Sequence, residues 1–216
     1  MKKHLLALAL IAAAGGANAA VVSFSDSFGL ATTDWSHNLS LQQFDATLGT
    51  LNSVTFNFGG QVSSIFRVES LDAAPATVNA NASGNLIFGG PISQTLNISG
   101  STSQAVTAFD GAIDFGGTSG AIIGPVVGTD SDSLSLISGL AAFIGSGTYD
   151  INVAAHGASS ASGAGNLISQ INTEAMANIT VTYDYTARPP VTVPEPTSMA
   201  LVGLGALGLA AIRRRK

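Results

Sequence analysis

The residues best placed to do chemistry lie at the two ends of the chain. Ala17-Asn18-Ala19 sets small side chains at the alternate positions a signal peptidase reads, behind the charged start Met1-Lys2-Lys3-His4 and the apolar run Leu5–Ala14. Cleavage is expected after Ala19, with Ala20 as the one-residue alternative. A retained membrane helix would need roughly 17–25 apolar residues and would have to absorb Gly15, Gly16 and Asn18. Near the other end, Pro194-Glu195-Pro196 holds one carboxylate between two residues of fixed φ, each pushing its predecessor into extended backbone. A stiff arm of this kind can be gripped by a protease cleft.

The tail that follows, residues 197–212, is uncharged and mostly apolar and stops on Arg213-Arg214-Arg215-Lys216. As a helix it would reach about 24 Å at 1.5 Å per residue, short of the roughly 30 Å hydrocarbon core. The four terminal cations prefer the cytoplasmic side and act as stop-transfer charges whose long stems offset the mismatch. This predicts a short transmembrane helix with the body outside. A buried core helix is the alternative for so short a run. Gly203-x-Gly205-x-x-Gly208 imitates a dinucleotide fingerprint, but that motif needs a preceding strand and a larger βαβ unit. No cofactor is expected.

Between the ends the chain offers little reactive chemistry. Its two histidines there, His37 and His156, are far apart in sequence, and no G-x-S-x-G elbow accompanies them. Asp130-Ser131-Asp132 and the pair Asp110 and Asp114 carry hard oxygen ligands without the full D-x-D-x-D-G calcium loop and its distal Glu. A glycosidase needs two carboxylates across a sugar cleft, and the glutamates are only Glu69, Glu174 and Glu195. With no cysteine there is no disulfide, thiol nucleophile or thiolate metal site. Neither a catalytic residue nor a metal ligand is assigned. The sequons at Asn38, Asn81, Asn97 and Asn178 match chance in so Asn-, Ser- and Thr-rich a chain.

These features must be carried by a scaffold, and composition restricts which. Of 216 residues, 46% are hydrophobic and 10% charged, with 25 glycines. That is too apolar for disorder and too glycine-rich for a helical bundle. From residue 20 to 196 two arginines, Arg67 and Arg188, face all thirteen acids, a net charge of −11. Such a surface excludes nucleic acid as a partner.

Period-two alternation dominates the same stretch. Ser53–Phe58, Tyr149–Val153 and Ile179–Tyr185 place Val54, Phe56, Phe58, Ile151, Val153, Val181 and Tyr183 on buried faces. Shorter strands are expected at Val21–Phe28, Leu39–Phe44, Ile65–Val68, Thr95–Ile98, Ala105–Phe109 and Ser133–Ile137. Gly59-Gly60, Gly89-Gly90-Pro91, Gly116-Gly117, Gly124-Pro125 and Gly145-Ser146-Gly147 read as turns. A helix is expected over Asn166–Ala177, and His156–Gly165 reads as a flexible loop. The fold class is all-β, a single antiparallel β-sandwich of jelly-roll-like type. The division is a signal peptide 1–19, the sandwich 20–187, a Pro-rich spacer 188–193 and an anchor segment 194–216.

Two family resemblances rest on these residues. Pro194-Glu195-Pro196, the apolar run and the arginine-rich end, in that order, resemble the PEP-CTERM sorting signal of Gram-negative bacteria. The resemblance implies recognition and processing by an exosortase, with Glu195 as the recognised charge. In the body, the Phe44–Val54 segment (FDATLGTLNSV) and the closing Ala177–Thr186 are similar to the choice-of-anchor E domain, a bacterial surface module. Residues 70–140 match it only loosely. The segment also has a plain structural reading, with Phe44, Leu48, Leu51 and Val54 in the core and Asp45 and Gly49 shaping a turn.

The expected function is therefore a non-enzymatic surface or extracellular-matrix protein. It is exported, held briefly in the inner membrane through residues 197–212, cut by signal peptidase and exosortase, and linked to exopolysaccharide and biofilm. One alternative is a carbohydrate-binding module, with an ice-binding variant suggested only because this kind of tail also occurs in proteins so labelled. Aromatic groups such as Phe24, Phe28 and Trp35 on a solvent face would favour it. The second alternative is a secreted hydrolase.

Overall fold

The computed structural model describes residues 19–188, and these form two antiparallel sheets around one apolar core. The strands are β1 (Ala19–Thr32), β2 (Trp35–Gln42), β3 (Gly49–Ser70), β4 (Ala76–Gly89), β5 (Gln94–Val106), β6 (Gly120–Leu136), β7 (Thr148–Gly157), β8 (Ser160–Ser162) and β9 (Leu167–Ala187). One sheet runs β1-β9-β3-β6. The other runs β2-β7-β4-β5, with β8 added on β4. Successive strands change sheets from β1 to β4, β5 follows β4 within its sheet, and the chain then alternates again through β6 and β7. This winding is what the jelly-roll-like expectation requires.

Alternation explains most of these strands. Val54, Phe56, Phe58, Ile151, Val153, Val181 and Tyr183 are all buried, at 0–2% exposure. Their neighbours Thr55, Asn57, Thr180 and Thr182 stay at least partly exposed. A one-residue slip would exchange the two sets, so the observed register is the expected one. Phe58 meets Phe88 of the facing sheet at 5.0 Å, and Phe56 meets Phe143 at 5.4 Å. Phe143 closes one end of the core from a short 3-10 turn, Leu140–Phe143.

Several expectations need correction. Gly59-Gly60 is not a turn, because β3 runs through it for 22 residues. A Cβ on Gly60 would lie 2.3 Å from Leu86 Cδ1, and one on Gly59 would lie 2.6 Å from Asn178 Oδ1. Both glycines therefore make room for neighbouring side chains. Gly124-Pro125 likewise lies inside β6, at a bulge opposite Ile65, where Gly124 has φ +122 and abuts the Ser64 carbonyl. The expected helix over Asn166–Ala177 falls in β9. Its Ala and Met content suits a helix, but the ladder to β3 through Ser70↔Leu167 overrides propensity, and Ala175 and Ala177 face inward. Residues 156–165 include the end of β7 and the short strand β8, paired to Asn79–Asn81. Leu48 is exposed rather than core.

Strand β9 holds the first sheet together. It pairs with β1 along one side and with β3 along the other, from Gly49↔Ala187 to Ser70↔Leu167. On the far side the edge strands β5 and β6 of opposite sheets cross backbone to backbone. A Cβ on Gly100 would stand 2.2 Å from Val127 O, and one on Gly128 would stand 2.5 Å from Ser99 C.

Candidate functional site

Ala19 pairs with Thr186 and Ala20 with Tyr185, so β1 starts beside the end of β9. The body therefore begins and ends at one pole, with Arg188 following Ala187. Ala19 and Ala20, the residues at the expected signal-peptidase cut, are the first members of this ladder. Ala17, Pro194, Glu195, Pro196, Arg213, Arg214, Arg215 and Lys216 lie outside the described residues, as does the expected transmembrane run. Among the described residues no helix is long and apolar enough to cross a membrane.

The same pole is built on the Phe44–Val54 segment. Asp45 Oδ1 accepts from the Thr47 amide at 2.8 Å, which holds its carboxyl below the usual carboxylate range, and the Leu48 amide donates to Asp45 O. Gly49 opens β3 against Ala187, where a Cβ would meet Thr186 O at 2.1 Å. The turn-shaping roles of Asp45 and Gly49 follow from these contacts. Tyr183 Oη donates to Gln42 O at 2.7 Å and lies 3.1 Å from Tyr149 Oη.

Burial raises both tyrosine pKa values above the ordinary 10.0. Ionisation is thus harder in the folded state, and the unfolded chain loses these protons first. Their contribution to stability should stay constant below about pH 9 and fall as pH climbs past the unfolded value. Denaturant midpoints measured against pH should show this alkaline slope in the wild type and a shallower one in Tyr149→Phe. An unchanged slope would refute the assignment.

The groups weighed for catalysis are dispersed. The His37 ring stacks on Phe28 at 4.2 Å. His156 Nδ1 lies 3.6 Å from Asp34 Oδ1, both side chains exposed, and that carboxylate oxygen also accepts from the Gly157 amide. No second acid joins His156 in an ion pair among the described residues. Asp110 accepts from the amides of Ala112 and Thr118, and Asp114 from that of Gly116. Asp130 and Asp132 take the amides of Ser131 and Ser133, while Gln94 donates to Asp132. Among the described residues no three His, Asp or Glu side chains group as a metal site.

The aromatic residues proposed for sugar stacking are half-buried at the rim of the core. Trp35 Nε1 donates to Ala175 O at 3.3 Å, Phe28 packs on Trp35 at 4.7 Å, and Phe24 faces Tyr183 at 6.1 Å.

Glu69 is the polar core group that sequence reasoning missed. It is fully buried, accepting from the Phe115 amide at 2.8 Å and from Ser119 Oγ at 2.6 Å. It thereby pins the long loop 107–119 across the pole opposite the chain ends. No local signal marked it, because its partners lie 46 and 50 residues away.

Residues 192–216 match the PEP-CTERM protein-sorting motif. The motif implies processing by an exosortase and an exported protein that ends at the cell surface. No curated protein matches the chain. Among solved structures, the T13 particle of the virus abbreviated IBDV aligns at 11% identity and TM-score 0.16, over 90% of this chain and 47% of that one. The Gx strain of infectious bursal disease virus aligns at 9% and 0.13, over 87% and 47%. T=1 particles derived from infectious bursal virus align at 9% and 0.12, over 96% and 52%. The chain spans about half the length of these chains. Overlap this loose carries no functional argument.

Proposed function

We propose that the protein is a non-enzymatic component of the cell surface or extracellular matrix, delivered by its C-terminal signal and associated there with exopolysaccharide. The sorting motif at 192–216 carries this reading. In it, signal peptidase cuts after Ala19, and residues 197–212 hold the chain in the inner membrane with Arg213–Lys216 on the cytoplasmic side. The exosortase then recognises Glu195 between Pro194 and Pro196 and releases the body outward. The body is assigned to the choice-of-anchor E type on the strength of Phe44–Val54 and Ala177–Thr186. Support comes from the placement of Phe44 and Val54 in the core and of Asp45 and Gly49 at the turn.

Export is tested in the native host. The mature wild-type protein should lack Arg213–Lys216 by intact mass. Glu195→Ala combined with Pro196→Ala should accumulate with those residues intact in the inner-membrane fraction. A mature wild-type protein that still ends in Arg-Arg-Arg-Lys would show a permanent anchor and overturn the sorting reading.

A further inference from the structure

Arg67 is the only Lys or Arg between residues 19 and 187, a stretch that carries twelve acids. It nevertheless avoids them all. The one side-chain ion pair among the described residues joins His156 to Asp34. No side-chain hydrogen bond there engages the Arg67 guanidinium or the amides of Gln170 and Asn172. Arg67 is paired in register with Gln170 on β9 and Ile122 on β6, and Ile65 with Asn172. Ile65, Arg67, Gln170, Ile171 and Asn172 line an open groove of about 390 Å³.

The bulge at Gly124-Pro125 explains why this stretch of sheet is uneven. The extra residues sit opposite Ile65, which is left 42% exposed, and Ile122 beyond them is 65% exposed. Bulges commonly re-aim side chains beside binding sites. The result places a forked cation and two free amides between apolar walls, on the part of β3 and β9 remote from the chain ends.

We infer that this groove binds a carboxylated sugar unit, a uronate, of an acidic polysaccharide. A guanidinium matches a carboxylate through two parallel N–H···O bonds. One arginine with no lysine nearby suits a single negative charge better than a phosphate dianion. The Gln170 and Asn172 amides offer donors and acceptors to sugar hydroxyls, and Ile65 and Ile171 offer apolar surface to a sugar ring's C–H face. Glu174, on β9 two residues beyond Asn172, is the nearest like charge along that strand. The net negative body opposes a polyanion at long range, but that field decays within about 8 Å at physiological ionic strength. The inference rests on the surface and exopolysaccharide reading and deepens it.

The test uses the full chain purified in detergent and affinity electrophoresis through polygalacturonate, dextran or dextran sulfate. Polygalacturonate should retard the wild type and dextran should not. Arg67→Gln should weaken that retardation about tenfold, in line with loss of a charge-assisted pair. Arg67→Lys should fall between the two, because it keeps the charge without the fork. Arg67 is exposed, so thermal melts of both variants should match the wild type and exclude misfolding. Equal binding by Arg67→Gln, or by Arg67→Lys, would overturn the site. Stronger retention on dextran sulfate would overturn the carboxylate assignment. Should polygalacturonate fail while the native protein still fractionates with the host matrix, this site falls and the surface reading stands.

Discussion

Val181→Asp should leave no folded body. Val181 is at 0% exposure in β9, with Phe24 and Phe56 as its neighbours on the two flanking strands. None of these can hydrogen-bond a carboxylate. Burying one unpaired costs several kcal/mol, roughly, against a total stability of about 5–15 kcal/mol for an ordinary domain. With no disulfide available, nothing else holds the chain. Near-UV circular dichroism should be lost and the cooperative urea transition with it. The adjacent Thr182→Asp, on the outward face, should unfold near the wild-type midpoint. A Val181→Asp protein with a wild-type transition would mean that β9 does not turn Val181 toward the core.

The second large effect is expected where the two sheets touch at their edges. Alanine at Gly100 or Gly128 would drive a methyl group into the backbone of the facing strand, at 2.2 and 2.5 Å respectively. Backbone cannot rotate away as a side chain can, so the β5–β6 corner must open. Overpacking of this kind costs about 1–3 kcal/mol and at times more. Each variant should lower the urea midpoint clearly. The double variant should lose less than the sum, because both substitutions relieve themselves by the same opening. Gly29→Ala, whose added Cβ meets nothing within 4 Å, is the control and should be nearly silent. Equal midpoints for Gly29→Ala and Gly128→Ala would contradict the crossing.

Strands with large alternating side chains could be read from sequence, as at Val54-x-Phe56-x-Phe58 and Val181-x-Tyr183. Where the buried face is small, the pattern disappears. β4 places Val78, Ala80 and Ala82 inward and Thr77, Asn79 and Asn81 outward, and its Asn-rich text raised no strand expectation. Gly59-Gly60 misled for another reason. Gly59-Gly60 and Gly89-Gly90 look alike in sequence, yet the first makes room for Leu86 and Asn178 and the second sits at the end of β4. Only the facing sheet distinguishes them. The sorting motif at 192–216 was legible because its elements follow one another without a break in the chain. Glu69 and the Arg67 groove were not, since each depends on residues far along the chain.

The position of β9 bears on the timing of export. The long inner ladder of its sheet forms only when the final strand of the body is available, and β1 must then wait for a partner more than 140 residues away, as in Ala20↔Tyr185. Contacts so distant in sequence close slowly, because loop-closure entropy is lost before they reward it. A chain emerging N-terminus first therefore cannot complete this sheet until β9 has emerged. The strand that completes the first sheet is thus the last of the body to become available, directly before the residues that carry the sorting motif.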